Sequence, residues 1–125
     1  MKQNMVGWFE IPVTNMDRAK TFYDTVFGIE IMVQDFGGTL MGWFPFAEGK
    51  TGASGSLIKN EVYSPSDNKG VLVYFASGDV NSELNRVEVA GGKVMQQKTQ
   101  ISPDIGYMAL FIDCEGNRIA LHSRA

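Results

Sequence analysis

The chain has 125 residues, is 44% hydrophobic and 20% charged, and carries 14 acidic against 11 basic side chains with one cysteine and one histidine. That inventory excludes an internal disulfide, zinc fingers and ribbons, and iron–sulfur centres, all of which need several Cys or His. A net charge of −3 with no Lys/Arg cluster leaves no footprint for a nucleic-acid backbone, and the longest apolar runs, Val71 to Ala76 and Met108 to Ile112, are too short to cross a membrane. Glu10 and Pro12 interrupt the apolar N-terminal stretch before it reads as a signal sequence, so a single domain over 1–125 in the reducing cytoplasm is expected.

In chain order, Val6 to Pro12 is β-branched and aromatic and predicts a strand. Asn15 follows as a helix N-cap, and Ala19, Tyr23 and Val26 then share one helical face that ends at Gly28. Three more strands are expected at Ile29 to Gln34, Thr39 to Phe46 and Ala53 to Ile58. A polar linker, 59–68, separates this unit from a second strand at Val71 to Ala76. The second unit has the cap Asp79, the helical face Val80, Leu84 and Val87, and the stop Gly91-Gly92. Its remaining strands are expected at Lys93 to Lys98, Ile105 to Ile112 and Arg118 to Ser123.

These two units are copies at an offset of 64 residues. Asn15 falls on Asp79, Gly28 on Gly92, Gly42-Trp43-Phe44 on Gly106-Tyr107-Met108, and Gly52 on Gly116. The modules are therefore about 5–58 and 69–122, and each reads βαβββ. Alternation along the strands places Trp8 and Glu10 on the face opposite the helix, with Leu72 and Tyr74 as their repeat mates. In the last strands Ser56 and Ile58, and Ala120 and His122, occupy the same face.

The run from Trp8 to Ala19 with Phe22-Tyr23 and Val26-Phe27-Gly28, and the later stretches Val80 to Gly92 and Asp113 to Ile119, resemble the vicinal oxygen chelate superfamily. That superfamily includes glyoxalase I, the bleomycin and fosfomycin resistance proteins, and extradiol dioxygenases. The resemblance implies an α+β fold in which two tandem βαβββ modules form a barrel-like cavity, and short chains that pair as homodimers. It also implies a divalent metal held by one residue from the first and last strand of each module. Counted from the caps and hairpin glycines, those positions are Trp8, Ser56, Leu72 and Ala120, of which only Ser56 has an oxygen donor. The expectation is therefore no metal or other cofactor, and a small organic molecule bound in the cavity. The alternative is a glyoxalase-like lyase or isomerase, or a dioxygenase, using Zn, Ni, Fe or Mn at atypical ligands such as Glu10 and His122, or a Glu/His acid–base pair.

Within the expected cavity Glu10, Tyr74 and His122 are the polar groups suited to acid–base work: a carboxylate in an apolar pocket becomes basic, and histidine titrates near neutrality. Trp8, Trp43, Phe44, Ser56, Leu72, Tyr107 and Ala120 are the candidate ligand-lining residues, the aromatic ones by stacking on a flat molecule. Cys114, between Asp113 and Glu115, is expected to be an unreactive turn thiol. Gly49-Lys50-Thr51 lacks the spacing of a phosphate-binding loop and reads as hairpin sequence.

Overall fold

The computed structural model describes residues 3–125, so the first two residues of the N-terminal stretch, Met1 and Lys2, lie outside the described residues. The elements run β1 (Trp8–Pro12), α1 (Met16–Phe27), β2 (Met32–Phe36), β3 (Thr39–Trp43), β4 (Ser54–Lys59), β5 (Val73–Ala76), α2 (Val80–Val87), β6 (Lys93–Ser102), β7 (Gly106–Ile112) and β8 (Arg118–Ser123). This is α+β, two βαβββ modules, each supplying one four-stranded sheet in the order β1-β4-β3-β2 and β5-β8-β7-β6. In each module the helix carries the chain over the sheet and the following meander returns it beside its own first strand. The outer pairs β1/β4 and β5/β8 are consequently parallel and the others antiparallel.

The helices begin where capping chemistry places them. The Asn15 side chain accepts from the Arg18 amide and the Asp79 side chain from the Asn81 amide, each satisfying a donor that the first turn leaves free. Gly28 closes α1 in the left-handed region, at φ 63°. The second helix differs from expectation. It ends at Val87, and the Gly92 amide donates to the Val87 carbonyl across a further turn, which puts the left-handed Gly91 four residues beyond the last helical residue.

Both helices lie on the same side of the sheets and share one core. Ala19, Phe22, Tyr23 and Val26 of α1 and Val80, Leu84 and Val87 of α2 pack with Ile11, Leu57, Ala109, Phe111, Ile119 and Leu121 from the strands. At its centre Phe9 meets Phe75 of the other module at 5.6 Å between ring centroids, and Phe44 meets Phe9, Tyr23 and Phe75 at 5.4 to 5.5 Å. Gly55 makes room for this cluster, since a Cβ there would stand 2.4 Å from the Phe9 carbonyl oxygen and 2.5 Å from its ring.

The repeat is not gapless. Glu10 pairs with Ser56 and Tyr74 with Ala120, which preserves the 64-residue offset in the first and last strands. In the middle, Trp43 pairs with Ser56 but Leu110 pairs with Ala120, an offset of 67. The structural mates of Gly42, Trp43 and Phe44 are therefore Ala109, Leu110 and Phe111. Gly106, Tyr107 and Met108, the mates expected from counting, sit three residues earlier. An odd slip reverses the facing of every side chain it moves.

A polar seam fastens the β7–β8 turn to the start of α1. Glu115 accepts hydrogen bonds from the amides of Thr14 and Asn15, from the Thr14 hydroxyl and from Arg18, with which it also forms an ion pair. Buried Asp113 accepts from the Tyr23 hydroxyl at 2.6 Å, from the amides of Glu115 and Asn117, and from the Asn117 side chain. Asn117 in turn donates to the Pro12 carbonyl at 2.7 Å. On the far side Arg86 of α2 donates to the Val26 carbonyl at the end of α1.

Candidate functional site

The first sheet presents two faces. Toward the helices it offers Phe9, Ile11, Gly42, Phe44, Gly55 and Leu57. On the opposite, open face stand Trp8 and Glu10 from β1, Ser54, Ser56 and Ile58 from β4, Met41 and Trp43 from β3, and Met32, Gln34 and Phe36 from β2, as the alternation and pairing dictate. Three of these form an aromatic row. Trp8 and Trp43 meet edge to face, 5.6 Å between centroids with planes at 72°, and Phe36 stacks on Trp43 at 6.2 Å with planes at 19°. Rings in such a row normally lie inside proteins, yet these are 42%, 39% and 50% exposed.

Beneath the row is a polar floor. Because β1 and β3 flank β4, the Trp8–Trp43 contact bridges over β4, above Ser54 and Ser56. The Oγ atoms of both serines are buried and have no hydrogen-bonding partner in the protein, and Ser56 as a whole is fully buried. Buried hydroxyls without partners are uncommon and each forfeits the hydrogen bonds it would make to water.

The expected acid–base group is not assembled. Glu10 is exposed on its edge strand rather than enclosed in an apolar cavity. It lines a cleft of about 220 Å³ at the seam of the modules, together with Lys69 and Arg118. His122 donates from Nε2 to the Ile105 carbonyl at 2.7 Å, which fixes its tautomer and occupies that nitrogen. Tyr74 is exposed on the outer strand of the second sheet. Among the described residues no hydrogen bond joins any two of these three.

Two of the expected ligand-lining residues point the other way. Phe44 is 8% exposed and belongs to the core, because it is one residue out of phase with Trp43. Tyr107 shares the parity of buried Ala109 and Phe111, and its ring lies 4.6 Å beneath Lys98, which is bound to the α2 cap Asp79. The three-residue slip is the reason it does not match Trp43. Ala120 is buried on the open side of the second sheet between Tyr74 and Leu110, and Leu72 is half-buried just before β5. Phe36 and Ser54 were not singled out from sequence. Phe36 lay beyond the expected end of its strand at Gln34, although the turn glycines Gly37 and Gly38 directly after it mark the true end.

The four positions that the resemblance assigns to metal ligands do not suit a divalent ion. Trp8, Leu72 and Ala120 offer no donor, and Ser56 offers one buried neutral hydroxyl. Among the described residues no three His, Cys, Asp or Glu side chains gather where an ion might be held.

Electrostatic perturbation concentrates at the seam instead. Burial raises Asp113 despite the hydrogen bonds from Tyr23 and Asn117 that oppose it. Burial and the neighbouring Asp113 raise the Tyr23 phenol well above its ordinary value. Burial acts to raise Glu115 too, but the Asn15 and Thr14 amides and Arg18 outweigh it and hold the carboxyl below its usual range. Cys114 is pushed up to about 12, by burial first and then by Asp113 and Glu115, which leaves it a thiol as its flanking carboxylates suggested.

Two βαβββ modules on one core, with the sheet faces turned away from the helices, define the class. The chain belongs to the Glyoxalase/Bleomycin resistance protein/Dioxygenase superfamily, whose family model matches residues 5–121. No curated protein sequence matches it. Among solved structures it is similar to TnmS3, an antibiotic-binding protein from Streptomyces sp. CB03234, with 23% identity, a TM-score of 0.66, and coverage of 100% of this chain and 99% of that one. It is similar also to a glyoxalase/bleomycin resistance protein from Albidiferax ferrireducens T118, with 16% identity, a TM-score of 0.71 and coverage of 98% and 100%. Glyoxalase I from Zea mays matches with 17% identity and a TM-score of 0.69 over 94% of this chain, but this chain spans only 45% of the maize protein. At these identities the likeness carries the fold alone.

Proposed function

We propose that this protein binds a planar organic molecule on the open face of its first sheet, by stacking and without a metal. The observation that carries this reading is the exposed row Trp8, Trp43 and Phe36, three rings held on one rigid sheet where stacking surface is free. Stacking on aromatic faces recognises shape and flatness, and the few polar groups nearby set orientation. The donor-poor residues at the metal positions support the metal-free part of the reading. The similarity to an antibiotic-binding protein over nearly the full length of both chains supports binding as the activity.

In this reading the chain works as a homodimer, with a second copy covering the open face of the second sheet, where Tyr74 is exposed, and leaving the aromatic row of the first sheet accessible. Sedimentation of the purified protein at micromolar concentration tests the pairing.

The binding test uses protein treated with a chelator and titrated with naphthalene while the indole N–H resonances of the two tryptophans are followed. Saturable shifts without added metal are expected, and Trp43→Ala is expected to lose them. Shifts that appear only after Zn, Ni, Fe or Mn is restored, or no shifts in any condition, would overturn the reading.

A further inference from the structure

The serine floor tells more about the ligand than the rings do. In the closed arrangement the two indoles stand 5.6 Å apart, too close to admit a ring between them. A sandwiched ring needs carbon contacts of about 3.5–4 Å on each side, hence a gap of about 7–8 Å. Opening that gap means swinging one indole aside. Both are partly exposed and belong to flanking strands, so a swing leaves the core cluster of Phe9, Phe44 and Phe75 untouched. What the swing uncovers is the pair Ser54 and Ser56, whose hydroxyls are shielded and unpartnered while the indoles meet. A closed state that strands two hydroxyls is poised for a guest that satisfies them. The carboxylate of Glu10, paired in register with Ser56 and on the same face, favours a guest that brings a donor rather than only an acceptor.

We propose that Trp8 and Trp43 form a movable cover over Ser54 and Ser56, and that the ligand is a planar aromatic bearing a hydroxyl in its ring plane. The ring enters between the indoles and the hydroxyl meets Ser56. This assignment rests on the stacking reading above and narrows it from flat molecules to phenolic ones.

The test compares 2-naphthol with naphthalene by titration against the same two indole resonances. One added hydrogen bond is expected to make 2-naphthol bind about three- to tenfold more tightly to the wild-type protein. Both probes are expected to shift both indole signals, since each ring must part the pair. In Ser56→Ala the preference for 2-naphthol is expected to fall to about unity. The variant is expected to melt no lower than the wild type, because it removes a hydroxyl with nothing bound to it.

Equal affinities in the wild type, or a preference that survives Ser56→Ala, would overturn the phenolic assignment while leaving the stacking face standing. A shift confined to one indole would overturn the cover, and a clear loss of thermal stability in Ser56→Ala would show that the hydroxyl already has a partner. If neither probe shifts either signal, the stacking reading and this assignment fail together.

Discussion

Two aromatic clusters lie back to back on the first sheet, and they are built from neighbouring residues. Trp8 faces outward and Phe9 inward; Trp43 faces outward and Phe44 inward. The inward rings close against Tyr23 and Phe75 and join the two modules into one core, whereas among the described residues the aromatic neighbours of the outward rings are each other and Phe36. A single step along a strand thus separates what holds the protein together from what is left available for a partner.

Substitution can break this contrast, starting where the effect is largest. Phe44→Ala should cost about 3–5 kcal/mol of unfolding free energy in a urea titration, because it removes a buried ring touching three others. Asp113→Ala belongs to the same closed side and should cost about 3 kcal/mol by the same measurement, since Tyr23, Asn117 and two amides all lose their acceptor.

Glu115→Gln should cost about 1 kcal/mol at neutral pH, kept small because the amide retains an acceptor oxygen for the Thr14 and Asn15 amides and the ion pair it loses is to Arg18, whose side chain is largely in solvent. Its effect also depends on pH. The folded protein holds the Glu115 carboxyl below its ordinary value, so the unfolded chain binds more protons and stability rises with pH through that window. The wild type should accordingly lose this contribution as pH falls below about 4.3, and the variant's stability profile should be flatter there. A variant with the same acid limb as the wild type would show that the seam is not what Glu115 supports.

The smallest effect on stability belongs to Trp43→Ala, which should cost less than about 1 kcal/mol because the ring is already partly in solvent. If it destabilised as much as Phe44→Ala, the two faces would not differ and the open face would be core.

Much of this was legible in the amino-acid sequence. The caps Asn15 and Asp79, the helical faces and the strand order follow from local chemistry, and alternation correctly places Trp8 and Glu10 opposite Phe9 and Ile11. The same alternation along Thr39 to Phe46 separates Trp43 from Phe44. Counting by a constant offset is less reliable, because it cannot detect that Leu110 lies three residues nearer in sequence to its partner Ala120 than Trp43 does to its partner Ser56. That slip is what moved Tyr107 to the helix side. The grouping of Glu10, Tyr74 and His122 illustrates another limit. Facing can be read from a strand, but distance across two separate sheets cannot, and neither can a backbone carbonyl such as that of Ile105, which engages His122 through a loop.

The seam has a consequence for the chain's continuity. Glu115, Asn117 and Arg86 reach from the second module into the first, and Phe9 and Phe75 interlock behind them, whereas the covalent connection between modules is a stretch without helix or strand from Asn60 to Leu72. Continuity of the backbone is therefore not what keeps the halves in place. The covalent link holds the halves at high local concentration, and halves produced as separate polypeptides are expected to find one another and complement.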